Sequence, residues 1–257
     1  IMASYFIYDS INQYRSDNTV SEGQMTDSAT PTFSATSTIT DHERASDQNI
    51  GTIISAVVDR DAIEYAVGSS VTANAAAVYF TGDDNVSSGT IMNFFVDTDR
   101  ASLPNKGTIT AVSAAGWATT DLTETTGTKF FVEFTGAVTN VSEVLIGSKL
   151  SFEVEPDVNI QSSIDYENSI QRSLGGVEYA LNVNSGQEVT TIGFQNISST
   201  FKTNLTTMQD ALKGEAKKFV WYDGSSFHWV RLDKPMTFTE IADGRFSTQL
   251  VLRQQIQ

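Results

Sequence analysis

A chain of 257 residues with no cysteine and a formal net charge of −15 excludes several classes of function at once. Disulfide frameworks, thiolate nucleophiles and cysteine-ligated metal centres are ruled out, and an acidic field of this size repels nucleic acid and anionic membranes. The length allows one large or two medium domains, and no run of about 18 apolar residues suggests a membrane span.

The charge is uneven. Residues 201–257 balance at +2, which leaves −17 on residues 1–200. The opening Ile1-Met2-Ala3-Ser4-Tyr5 has neither the basic start nor the apolar stretch of a signal peptide. With no disulfides available, a bacterial or viral source is expected rather than a secreted eukaryotic module.

Helical periodicity is nearly absent, and short β-rich runs recur between Gly, Asn, Asp, Ser and Thr clusters. The first apolar run, Tyr5-Phe6-Ile7-Tyr8, predicts an N-terminal strand. Ser/Thr-rich sequence through Thr40, broken by Pro31, predicts a long extended connection over residues 10–50. Strands are then expected at Ile53–Val58, Ile63–Val67, Ala75–Phe80, Ile91–Val96, Thr108–Val112, Phe130–Phe134 and Val141–Ile146. Turn chemistry lies between them at Gly82-Asp83-Asp84-Asn85, Asn105-Lys106-Gly107 and Gly127. Such spacing suggests a β-sandwich or jelly roll. Within Phe130–Phe134 the alternation sends Phe130, Val132 and Phe134 to one side and Phe131 with Glu133 to the other, so this strand is expected to be covered on both faces.

Pro156 and the polar run Gln161-Ser162-Ser163 mark a junction. Val177–Val183 and Val189–Asn196 then read as a hairpin around Asn184-Ser185-Gly186. Phe201, Leu205, Met208 and Leu212 form one apolar stripe, which predicts a helix over 200–213. Ser198, Ser199 or Thr200 serves as its N-cap, and Gly214 closes it. Four strands follow at Lys218–Tyr222, Phe227–Leu232, Met236–Ile241 and Arg245–Arg253. The fold class is therefore all-β with one flanking helix.

The order from Gly175-Gly176-Val177-Glu178-Tyr179 through Leu212-Lys213-Gly214, Phe219-Val220-Trp221-Tyr222-Asp223-Gly224, Phe227-His228-Trp229-Val230-Arg231-Leu232 and Gly244 to Leu252 resembles the tube-type β-sandwich-plus-helix domain of siphophage distal tail and tail tube proteins. Ala76-Ala77-Val78-Tyr79-Phe80, Phe130 to Gly136 and Val141 to Gly147 resemble a galactose-binding-like, discoidin-type jelly roll inserted into it. The domains implied are 1–49, an N-terminal strand and extended connection belonging to the tube-like domain; 50–150, the jelly roll; and 151–257, the tube-like domain with helix 200–213. The resemblance implies a non-enzymatic virion protein of a phage tail. It would form a ring, expected to be a hexamer, that joins the tail tube to the hub or fibres. DNA would pass its acidic lumen without specific binding, and no membrane is involved. The alternative is a carbohydrate-binding module of a tail fibre or surface adhesin. A polysaccharide hydrolase is a further rival, for which no carboxylate pair stands out.

Candidate chemistry is sparse. Trp117, in Ala114-Ala115-Gly116-Trp117-Ala118, would stack on a sugar ring if exposed on a loop, or pack against Phe130 if buried. His228 alternates within a strand, and His42 lies in the charged loop Asp41-His42-Glu43-Arg44. Trp221 and Trp229 are expected to form a cross-strand aromatic cluster. No cofactor is expected, although calcium at Asp97 with Asp99, or at Asp83 with Asp84, is compatible with jelly-roll loops. Asn85-Val86-Ser87 and Asn140-Val141-Ser142 match glycosylation acceptors.

Overall fold

The computed structural model describes residues 4–11, 19–26, 32–34, 39, 41–54, 61–82, 91–97, 105–111, 114–137, 139–156, 160–166, 168–172, 178–182 and 186–255. Among them the chain is mostly β-strand with one α-helix. It divides into two compact units, Tyr5–Leu150 and Ile1–Ser4 with Ser151–Gln257. No helix among the described residues is long and apolar enough to cross a membrane.

The first unit holds β1 (Tyr5–Tyr8), β2 (Thr19–Thr26), β3 (Thr32–Ser34), β4 (Asp61–Phe80), β5 (Ile91–Asp97), β6 (Gly107–Thr110), β7 (Gly116–Phe134) and β8 (Val141–Ser151). Its architecture follows from two long strands, β4 and β7, that pair along their length and run through both halves of one continuous sheet. Residues 61–66 of β4 lie between β2 and the end of β7, with β5 and β6 beyond. Residues 75–80 of β4 lie between the start of β7 and β8. Register shifts separate the halves, between Ala66 and Val71 and again between Ala73 and Ala75. Such bulges add residues to one strand, bend it and change which face is buried. Accordingly Ile63, Tyr65 and Val67 point into the core from the first half, and Ala76, Val78 and Phe80 from the second. They meet Met92, Phe94, Phe130, Val132, Phe134, Val144 and Ile146 in one apolar cluster, the interior of a β-sandwich.

Phe131 packs on the other side with Ala62 and Phe95. With Phe130 to Phe134 all buried, this strand end is covered on both faces as expected. Other expectations need correction. Ile63–Val67 and Ala75–Phe80 are one strand, in which Gly68-Ser69-Ser70 is an exposed stretch at the register shift between Ala66 and Val71. Gly127 is not a turn but pairs with Val71 inside β7. The polar connection over residues 10–50 contains β2, β3 and a short 3-10 helix, His42–Ser46. Backbone pairing, rather than an apolar stripe, makes β2 a strand. The expected strand Ile53–Val58 falls mostly outside the described residues, and Ile54 is buried in the core beside Val141.

The second unit holds β9 (Gln161–Asp165), β10 (Asn168–Arg172), β11 (Glu178–Asn182), β12 (Gln187–Ser198), α1 (Ser199–Ala211), β13 (Lys218–Tyr222), β14 (Phe227–Leu232), β15 (Thr237–Ala242) and β16 (Arg245–Gln254). Antiparallel pairing gives the order β13-β14-β16-β12-β9, with β15 also on β16. The helix is where the apolar stripe puts it and packs on β12 and β16. Phe201, Leu205 and Met208 are buried, and the Phe201 ring meets Phe194 at 5.9 Å, which in turn meets Phe152 at 5.0 Å. Of the three N-cap candidates Ser198 takes the role: its hydroxyl accepts the Phe201 N–H at 3.1 Å and donates to Glu153 at 2.6 Å. Gly214, at φ 68, ends the helix in the left-handed region.

The hairpin expected between Val177–Val183 and Val189–Asn196 is not formed. β11 pairs with β10, and β12 with β9 and β16. The reason is that the polar junction is itself β-structure. All five residues of β9 are exposed, so an edge strand made by backbone hydrogen bonds carries no apolar alternation.

Candidate functional site, a groove on the sheet of the second unit

Strand alternation places Trp221 on one face of β13 and Val220 and Tyr222 on the other. The cross-strand register carries that first face across the sheet. Trp221 lies opposite His228, Val230 opposite Gln254, Leu252 opposite Thr190, and Thr190 opposite Ser162. With Glu188 on β12, Ile160 before β9, and Asp223 and Ser225 in the turn after β13, these residues line a groove of about 270 Å³. Trp221, Val230 and Leu252 are buried and make an apolar floor. Hydroxyl, amide, imidazole and carboxylate groups surround it. α1 covers another part of the same sheet through β12 and β16, so the groove lies where the helix leaves the face open.

One end of the groove is organised by Asp223. Its Oδ1 accepts from the Ser225 N–H at 2.7 Å, the Ser226 N–H at 2.7 Å and the Ser225 hydroxyl at 2.8 Å, and its Oδ2 lies 2.9 Å from His228 Nε2. Burial alone would raise this carboxyl. His228, the two backbone N–H groups and the hydroxyl outweigh it and pull the pKa down to about 2. The His228 ring in turn lies over Trp221, with centroids 4.8 Å apart and planes at 31°. The Trp221 indole N–H is buried with no hydrogen-bond partner among the described residues. At the other end the Ser162 hydroxyl bonds Glu188.

Serine, histidine and aspartate therefore meet here without forming a nucleophilic relay. Ser225 donates to Asp223 and not to His228, whereas an activated hydroxyl needs the imidazole as its acceptor.

The register also separates charge. Lys218, Arg231 and Arg253 occupy positions on the face opposite the groove. There Arg253 is clamped between Asp233 at 2.6 Å and Asp165 at 2.8 Å, tying the edge strand β9 to β16.

The residues singled out from the sequence land in different places. His228 is in the groove. His42 starts the 3-10 helix of the first unit and lies 3.4 Å from Glu43. Trp117 is the second residue of β7 rather than a loop residue; it is 9% exposed, with its ring 5.3 Å from Tyr79. Trp221 and Trp229 form no cross-strand pair: Trp229 is opposite Val220, so its side chain leaves the sheet on the other face from Trp221. Asn140 is fully buried, which leaves that acceptor sequence inaccessible. Asp83, Asp84, Asp99 and Asn85 lie outside the described residues, as does the Asp97 side chain. Glu188, Thr190, Ser162 and Gln254 were not predicted; they come from strands far apart in sequence. The pairing of Trp221 with His228 was readable, because a four-residue turn at Asp223–Ser226 fixes it.

No family model matches the chain, and no curated protein does. Among solved structures it is similar to the family 32 CBM from C. perfringens NanJ in complex with galactose, at 13% identity over 55% of this chain and 98% of that one, TM-score 0.39. It is similar to the CBM32 of AlyQ in complex with 4,5-unsaturated mannuronic acid, at 22% identity over 44% and 85%, TM-score 0.34. A fucolectin from striped bass serum matches 97% of this chain and 99% of its own at 8% identity, TM-score 0.38. These neighbours are β-sandwich binding modules and a lectin. Scores of this size do not bring their ligands to this chain.

Proposed function

We propose that this is a carbohydrate-binding protein whose second unit holds saccharide in the groove between Trp221 and Glu188. The observation that carries this is the groove's composition: an apolar floor of Trp221, Val230 and Leu252 ringed by Ser162, Thr190, Glu188, Asp223, His228 and Gln254. A sugar offers both an apolar face and a ring of hydroxyls, and it needs that combination from its site. The full chain on a glycan array, followed by calorimetric titration of the hits, tests it. Gln254→Ala and Thr190→Ala are each expected to weaken binding about tenfold, the worth of one lost hydrogen bond to a buried partner. Absence of binding to any glycan at millimolar concentration, or binding indifferent to both substitutions, overturns it.

A second reading, a ring-forming adapter of a phage tail, is favoured by the exposed edge strand β9 with Ile160, Ile164 and Tyr166 exposed around it. Light scattering and negative-stain imaging of the purified chain, alone and with tail proteins, test it. A monomer under every condition counts against it.

A further inference from the structure

The sheet beneath the groove sorts charge by face. Lys218, Arg231 and Arg253 take register positions on the far side, and among the described residues no lysine or arginine lines the groove. On the groove side are the carboxylates of Glu188 and Asp223 and, among the described residues, His228 as the one basic group, bonded to Asp223 at 2.9 Å. Asp223 stays ionised at physiological pH, since its hydrogen bonds hold it at about 2. Beneath them the Trp221 N–H, on a side chain 5% exposed, has no partner among the described residues. Glu188 is exposed and Asp223 half-buried, so their pull on a cation is shared with water and weakened by salt.

We propose that the saccharide of this groove is a cationic one, an amino sugar with a free ammonium group facing Glu188 and Asp223. This rests on the saccharide function proposed above and names its ligand class. N-acetylation removes the charge and adds bulk, so the acetylated sugar loses the attraction. A uronic acid brings a third carboxylate to the groove and is repelled.

The test is calorimetric titration of the full chain at pH 6 with three oligosaccharides of equal length: glucosamine, N-acetylglucosamine and an oligouronate. Glucosamine oligomers are expected to bind at least tenfold tighter than the acetylated ones, with the oligouronate weakest. The advantage should shrink severalfold when salt rises from 20 to 300 mM, on the order expected from screening. Glu188→Gln should reduce the ratio between the two glucosamine ligands, which compares ligands on one protein and so does not depend on the variant's stability. Equal affinity for charged and neutral sugars, or a ratio unmoved by salt, overturns the amino-sugar assignment and leaves the saccharide function standing. Binding of none of the three overturns the amino-sugar assignment and leaves the saccharide function to the glycan array, whereas capture of a lysine-rich peptide in their place overturns both.

Discussion

Asp223 closes the turn between β13 and β14 and orients the His228 ring with the same carboxylate. Its folded pKa of about 2 lies below the ordinary value of 3.8. The sign follows: the ionised form is favoured by folding, so the contribution is complete above about pH 4 and is lost as pH falls through about 2. Asp223→Asn is therefore expected to flatten the dependence of stability on pH between 4 and 2, measured by urea melts at each pH. Wild type should lose more stability across that window than the variant, the difference being the Asp223 contribution. Half of this arrangement could be read in the sequence, because Asp-Gly-Ser-Ser is turn chemistry and fixes the register of the residues on either side. The rest could not. Glu188, Thr190 and Ser162 reach the groove through pairings with β16 and β9, and nothing near them in the chain encodes those pairings.

Among the elements, α1 was the most legible and β9 the least, for opposite reasons. An amphipathic helix writes its buried face into the sequence every three or four residues, as Phe201, Leu205 and Met208 do. An edge strand with both faces in solvent writes nothing, since its ladder is made by backbone groups. The cap of α1 gives a direct check. Ser198→Ala removes the acceptor for the Phe201 N–H and the donor to Glu153, and is expected to cost about 1 kcal/mol in a thermal melt. In the first unit, Gly147 on β8 lies against the backbone at the end of β1. A Cβ at that position would run into the Tyr8 carbonyl oxygen and the Ser10 backbone. Gly147→Ala is expected to destabilise by about 2 kcal/mol or more, and hydrogen exchange should speed up first at Phe6 and Ile7. Unchanged protection there would show that β1 tolerates the displacement.

At the scale of the whole molecule, two compact units lead to an expectation of two calorimetric transitions rather than one. Phe194→Ala, which empties the space between Phe152 and Phe201, should lower one of them by about 3–5 kcal/mol and leave the other in place. A single transition that moves as a whole would mean that the units melt together. The first unit has its own consequence. β4 and β7 each belong to both layers of the sandwich, so neither layer can come away without tearing strands that continue into the other. A protease that cuts once in the exposed Gly68-Ser69-Ser70 stretch should leave two fragments that migrate together in native gels and separate only in denaturant, the two layers acting like planks joined by nails driven through both.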